Sequence, residues 1–409
     1  MAPTAKQQTA PLSLPEYSLK ASGSSRFKKG PKALQSLRFG FFGEVGGLLS
    51  SVKKAERDRL EDSQSEVAAE ELGDALWYLM MSAVFLGVSP NDLGEQCLKL
   101  LRARFKENDR QPITPVSFRQ IDALINTHRE DGSIIRAHQM GALAHAAGNF
   151  CNSSEAQLTA GVTPSLLVHM GNLLTELALC CASFNLHLED VARDNLDKIK
   201  SRWPGDERQF VDFFDPETEY PYYEQLPRTL RMNFIELPGR HGSVSVVQQL
   251  NGVFIGDRLT DNSNEPDDYR FHDVFHLAYM AYLGWSPVLR GLLKRKRKSQ
   301  PLVDENEDGA RAMIIEEGIA TWIFNHAKRR NFYHGIKEGE LEYGLLKQIH
   351  SMVDGYEVDR CPLWQWELAI LKGFEAFREL RDARSGTIEV DMVNHQLRFV
   401  PLDKLNPGQ

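Results

Sequence analysis

A chain of 409 residues with a net charge of −8 has room for two or three domains, but no global basic field with which to hold nucleic acid. Its five cysteines (Cys97, Cys151, Cys180, Cys181 and Cys361) form neither a Cys-x-x-Cys pair nor an even disulfide framework, which points to a reducing compartment. No uninterrupted apolar run reaches the roughly eighteen residues of a membrane span, and the N-terminus lacks a charged-then-apolar leader, so the expectation is a cytoplasmic protein with no membrane partner.

Residues 1–30 are rich in Ala, Thr, Gln, Ser, Pro and Lys and read as a mobile tail, with local structure at most around Leu12–Tyr17. Helical patterning begins near Pro31, a favourable first-turn residue. The helix around Phe39–Val52 carries Gly40, Gly43, Gly46 and Gly47, each costing about 0.5–1 kcal/mol relative to Ala. Either a second helix crosses closely there, or a ligand approaches the backbone beside Glu44. Glu66–Phe85 reads as an amphipathic helix with Leu72, Leu76, Leu79 and Met80 facing a core. Gly87 to Pro90 stop it, and Ser89-Pro90-Asn91-Asp92 caps the next helix, which runs to Phe105.

Glu71 and Asp74 lie at i and i+3, on one helical face, with Glu70 beside them and Glu44 on the preceding helix. A hard divalent ion takes such carboxylates while keeping positions for water or phosphate oxygens. Glu44, Glu71-Leu72-Gly73-Asp74, the following Leu76-Trp77-Tyr78-Leu79 and the closing Arg102-Ala103-Arg104-Phe105 resemble the MazG-like all-α nucleoside triphosphate pyrophosphohydrolases. The resemblance implies Mg²⁺ (or Mn²⁺) held by Glu44, Glu71 and Asp74, with Glu70 as a further ligand or base. The chain departs from that family's first acidic segment, which would place acids at positions 43, 44 and 47. Here Gly43 and Gly47 flank Glu44, which removes ligands from a two-metal arrangement.

Beyond Pro112–Pro115 the pattern recurs at a constant offset, with His169 under Glu71, Asn172 under Asp74, Val191 under Leu93, Leu196 under Leu98 and Arg202 under Arg104. The second copy has exchanged its acids for His145, His169 and Asn172. It keeps a closing helix, Asn195-Leu196-Asp197-Lys198-Ile199-Lys200-Ser201-Arg202, that is similar to the family's Asn-Leu-x-Lys-Leu-x-x-Arg signature. Because MazG-like proteins work as oligomers of such units, the two copies imply an intrachain pseudo-dimer. Its single site would draw carboxylates from copy one and phosphate contacts from Asn195, Lys198 and Arg202, with Arg104 as the first copy's counterpart. A further homo-oligomer stays open.

Residues 206–230 shift to an aromatic, acidic, Pro-rich composition and read as a linker lying along a surface. Residues 231–409 read as an α domain with a small antiparallel sheet: strand composition at Met232–Leu237 and Ser243–Leu259, a hairpin turn at Asn251-Gly252, a long helical stretch, and a second hairpin near Ile388–Phe399. This resembles the C-terminal extension of some bacterial MazG-like proteins. Within it, His272 and His276 stand at i and i+4 with Asp273 between them, and Glu316 and Glu317 follow on another helix. That spacing suits Zn²⁺ or another divalent ion, and resembles gluzincins except that Asp273 stands for their Glu and no peptide-binding strand is evident. Asp267, Asp268 and His326 are further candidate ligands. The run Lys294 to Lys298 reads as a solvated helix end, too little to imply nucleic-acid binding.

The expectation is therefore a mainly α protein: a tandem MazG-like helical bundle, residues 31–112 and 113–205, followed by an α domain with a small antiparallel sheet. Its activity would be Mg²⁺-dependent conversion of a nucleoside triphosphate to monophosphate and pyrophosphate. Two alternatives remain: a C-terminal metal-dependent hydrolase with nucleotide-sensing repeats, and a non-catalytic nucleotide-binding protein.

Overall fold

The short polar residues that precede the apolar stretches act as helix caps. The side chains of Ser13, Ser89, Ser117, Ser154 and Thr163 each accept the backbone N–H three residues on. The computed structural model describes residues 10–24, 30–58, 64–108, 110–129, 135–205, 208–239, 243–260 and 264–402. It is mainly α and divides into two units, Met1–Lys200 and Ser201–Gln409, each with its own apolar core.

The first unit comprises α1 (Leu14–Ser22), α2 (Pro31–Asp58), α3 (Gln64–Phe85), α4 (Pro90–Arg104), α5 (Phe118–Thr127), α6 (Arg136–Asn152), α7 (Glu155–Thr159), α8 (Pro164–Ser183) and most of α9 (Leu188–Arg202). α3 and α8 each carry a glycine where another helix crosses closely. A Cβ at Gly73 of α3 would lie 3.3 Å from Asn195 of α9, and one at the equivalent Gly171 of α8 would lie 2.5 Å from Gln96 of α4. α9 thus crosses α3, and α4 crosses α8, at a glycine, where the absent side chain lets the backbones approach. α8 is apolar and long enough to cross a membrane, but 67% of its apolar stretch is buried in this core.

The expectation of a mobile tail over residues 1–30 fails for its described part. α1 is docked, with Leu12, Leu14, Tyr17 and Ala21 buried, and Leu12 and Leu14 exchange backbone hydrogen bonds with Phe118 and Val116. Its apolar side chains find their partners about a hundred residues downstream, which local composition cannot register. Residues 1–9 and 25–29 lie outside the described residues.

The second unit contains one antiparallel sheet of order β3-β2-β1-β4-β5, formed by β1 (Thr229–Pro238), β2 (Val244–Leu250), β3 (Val253–Leu259), β4 (Ser385–Asp391) and β5 (Gln396–Val400). Asn251 and Gly252, at φ 50° and 81°, make the tight turn joining β2 to β3. Between β3 and β4 run α10 (Asp273–Leu283), α11 (Pro287–Leu292), α12 (Pro301–Asn306), α13 (Ala310–Lys328), α14 (Tyr343–Met352) and α15 (Leu363–Ala383). α10 is buried on every side from Val274 to Leu283 and packs along α15.

Two expectations for this region are corrected. The described part of the presumed linker, 206–230, belongs to the second unit's fold. Phe214 and Tyr220 are buried, and the fully buried Asp215 accepts from Arg290 (2.7 Å), Arg228 (2.8 Å) and the backbone of Leu226 (2.7 Å). Residues 206 and 207 lie outside the described residues. The basic run is not simply a solvated end either. Arg297 is buried against Asp308 and Glu357, both at 2.7 Å, and those partners hold its guanidinium firmly charged despite burial.

Candidate functional site

In the first unit, α2 and α3 lie side by side and turn their acids toward one another. The glycines of α2 make room for α3 side chains: a Cβ at Gly40 would fall 2.2 Å from the Tyr78 ring, and one at Gly47 would fall 2.4 Å from the Glu71 carboxylate. Close helix packing therefore accounts for both positions, and at Gly47 the space of the missing acid is taken by Glu71 itself. Glu44 and Glu71 share a hydrogen bond. Burial, then the negative charges of Asp74 and Glu71, push Glu44 up to about 7. Burial raises Glu71 as well, against the hydrogen bond from Glu44.

α9 supplies the opposite charge. From α9, Lys198 Nζ donates to Asp74 Oδ2 at 2.6 Å and to Glu70 Oε1 at 3.3 Å, and Asn195 Nδ2 donates to Asp74 Oδ1 at 3.1 Å. Asn195 is in turn held by the Tyr17 hydroxyl of α1, which donates to its Oδ1 at 2.7 Å. Beside this cluster opens a cavity of about 280 Å³ lined by Glu70, Gly73, Asn195 and Lys198 among others. The structure thus brings Glu44, Glu70, Glu71, Asp74, Asn195 and Lys198 together. Three carboxylates of this set do not place oxygens within 4.8 Å of one another; Lys198 stands among them. Tyr17 was missed by the sequence reading, since nothing local marks a tail tyrosine as a partner of Asn195.

Arg104 and Arg202 are not brought to these acids. Arg104 is bound to Glu176 of α8 at 2.8 Å. Arg202 is buried in the second unit, where its Nη2 donates to the Leu341 carbonyl at 2.6 Å and its guanidinium stacks over Trp203 and Tyr343.

In the second unit, α10 and α13 bring His272, His276 and Glu317 together, with ligand-type atoms all within 4.8 Å. Glu316 and Asp273, also candidate ligands, occupy flanking places. Glu316 lies behind His276, accepting from its Nδ1 at 2.8 Å. Asp273 has one oxygen held by Gln248 and the other 3.0 Å from His272 Nε2. Burial works against the charge of Asp273, but the neighbouring imidazoles hold it down at about 2. Asp267, Asp268 and His326 are engaged elsewhere, with Lys328, with Arg270 and Arg384, and with Tyr333 and Glu342.

Comparison with known proteins bears on this second unit. Residues 209–403 match the family model of the MazG C-terminal domain. The match begins some twenty residues before the boundary expected at 231, and it takes in the buried Asp215 hub, the whole sheet and the His272–His276 segment. The match does not extend over α1–α9. No curated protein matches the chain, and no solved structure does.

Proposed function

We propose that the first unit is a nucleoside triphosphate pyrophosphohydrolase, using Mg²⁺ to cleave between the α and β phosphates and release a nucleoside monophosphate and pyrophosphate. The observation that carries this reading is the meeting of the two copies. Lys198 and Asn195 of α9 lie on Asp74 and Glu70 of α3, beside a cavity of about 280 Å³. The MazG C-terminal domain in the second unit supports it by relating the chain to MazG-type nucleotide hydrolases.

The donor chemistry suits the ion, and its binding requires Lys198 to leave Asp74 so that the carboxylates can converge. The donors are all oxygens, and the crowding that pushes Glu44 up to about 7 is relieved by a divalent cation. Glu44, Glu71 and Asp74 would hold it, and Mn²⁺ suits the same donors. Once bound, Mg²⁺ neutralises phosphate charge and favours ionisation of water. Lys198, displaced from Asp74, is within reach of the cavity to meet phosphate oxygens as a point charge. Glu70, on the cavity wall, accepts the proton of the attacking water. Asn195, steadied by Tyr17, keeps Asp74 aimed.

The test is pyrophosphate release from a panel of ribo- and deoxyribonucleoside triphosphates, with and without Mg²⁺. Asp74→Asn removes charge and almost no volume, so it should abolish Mg²⁺-dependent turnover and leave the helical signal intact. Wild-type turnover in that variant would overturn the assignment.

A further inference from the structure

We infer that the second unit holds one divalent transition-metal ion of the zinc class, bound by His272 Nε2, His276 Nε2 and Glu317 Oε2. These residues are distinct from the acids of α2 and α3, and the inference does not depend on the pyrophosphohydrolase reading.

The argument begins with the outward nitrogens of the two rings. His272 Nδ1 lies 2.9 Å from the Tyr269 carbonyl, which can only accept, so Nδ1 carries the hydrogen. His276 Nδ1 lies 2.8 Å from Glu316 Oε1. That carboxylate already accepts from the Ser286 hydroxyl at 2.7 Å and the Val288 N–H at 2.8 Å, the pattern of an ionised acceptor. His276 Nδ1 is therefore a donor too. In the neutral rings both Nε2 atoms then present lone pairs, and both point at carboxylate oxygens. Glu317 Oε2 stands 3.4 Å from His276 Nε2 and 3.9 Å from His272 Nε2, and Asp273 Oδ1 stands 3.0 Å from His272 Nε2.

Bare lone pairs facing carboxylate oxygens repel, so either a proton on each Nε2 or one metal ion must lie between them, and the convergence of both rings and Glu317 on one point favours the shared ion. His276 is fully buried, and its Nε2 finds no partner of hydrogen-bond geometry. A buried imidazole nitrogen left without a donor costs free energy, and ligation to a metal removes that cost. The outer contacts are those that orient metal-binding histidines: a carbonyl behind one ring and a carboxylate behind the other. Tyr269 also stacks on His272 at 4.5 Å, fixing its plane.

The identity of the ion follows from the donors. Two imidazoles and one carboxylate form a borderline set that suits Zn²⁺ better than Mg²⁺. Three protein ligands leave a fourth position for water or a substrate oxygen. His276 is buried and His272 half-buried while the Glu317 side chain is 43% exposed, so that position opens on the Glu317 side.

The experiment uses the full-length chain. After dialysis against metal-free buffer it is titrated with Zn²⁺, and separately with Co²⁺, in competition with a chromophoric chelator, and the ion content is counted by elemental analysis. One ion per chain is expected, with Co²⁺ giving the visible absorption of a low-coordinate site containing nitrogen ligands. Because His276 is in the core and its replacement could unfold the unit, Glu317→Gln and His272→Ala carry the test. Each should weaken Zn²⁺ binding by about a hundredfold or more, while the melting curve of the metal-free protein hardly moves. Glu316→Gln, which only orients His276, should weaken it by about 10–100-fold. Asp74→Asn should leave the ion in place, separating this site from the first unit's. No binding at a tenfold excess of either metal, or unchanged affinity in Glu317→Gln and His272→Ala, would overturn the inference.

Discussion

At the scale of single residues, Lys198 and Glu44 set the electrostatics of the first unit. Lys198 holds Asp74 at 2.6 Å and so competes with any cation there, while the proposed function makes it the charge that meets substrate phosphates. These two roles predict opposite signs. Lys198→Met should tighten Mg²⁺ binding by removing a competing cation. It should weaken apparent nucleotide affinity by roughly ten- to a hundredfold, since a charge-assisted contact contributes about 1.5–3 kcal/mol. Lys99→Met, at an exposed position of α4, is the control and should change neither. Tighter Mg²⁺ with unaltered nucleotide affinity would reduce Lys198 to a packing ion pair. Glu44 makes a pH prediction. Its folded pKa lies above the unfolded value of 4.5, at about 7, so the native state binds more protons and stability falls as pH rises through that window. Glu44→Gln should therefore stabilise the Mg²⁺-free protein above pH 7. Allowing for solvent screening of a half-buried group, the gain is about 1 kcal/mol, or roughly 2–4 °C in melting temperature. The gain should vanish near pH 4. Equal melting temperatures at pH 8 would show that the acid cluster is not strained.

At the scale of elements, the glycines of α2 are the test case, because they separate packing from ligation. A methyl at Gly47 would meet the Glu71 carboxylate, the far end of a flexible side chain, which can turn away. The helix itself gains about 0.5–1 kcal/mol from Gly→Ala. Gly47→Ala should thus keep or slightly raise the melting temperature while misplacing Glu71, and Mg²⁺ affinity should fall by roughly tenfold. If metal affinity held in a stable variant, Glu71 would not be a ligand. Elements whose signals are local were legible in the sequence: the Ser89 cap before Pro90, the apolar face of α3, the Asn251–Gly252 hairpin. The basic closing helix marked Lys198 as a candidate, and the structure places its Nζ on Asp74. What was hidden depends on partners far along the chain. α1 buries itself against α5, and Arg297 looks like part of a charged tract until Asp308 and Glu357 fold over it. Likewise, the histidine spacing on α10 marked candidate ligands, but only the fold distinguishes Glu317, which faces both rings, from Glu316, which stands behind one of them.

At the scale of the whole molecule, each unit has its own core, and the short α1 connects the N-terminal stretch to the first unit's site. Tyr17 reaches Asn195, which reaches Asp74, so a segment expected to be a mobile tail is tied to the acids of the proposed site. Removing residues 1–24 would withdraw Leu12, Leu14 and Tyr17 from the core along with the edge-on contact of Tyr17 with Phe118, whose ring centroids are 5.5 Å apart. At about 1.5–3 kcal/mol for each large apolar side chain, the loss is roughly 5–9 kcal/mol. That is comparable to the whole stability of a typical domain, about 5–15 kcal/mol. The truncated chain should therefore lose the cooperative unfolding of α2–α9, seen as a drop in helical ellipticity and rapid amide exchange across those helices. The second unit shares none of those core side chains, so β1–β5 and α10–α15 should keep their exchange protection and their affinity for Zn²⁺. Tyr17→Phe isolates the chemical part. It keeps the ring in the core, costs about 0.5–1.5 kcal/mol for the hydrogen bond to Asn195, and should lower turnover by loosening Asp74 without unfolding either unit. Loss of protection in both units upon truncation would mean that the cores fold as one. Retention in both would mean that α1 is only a surface strap.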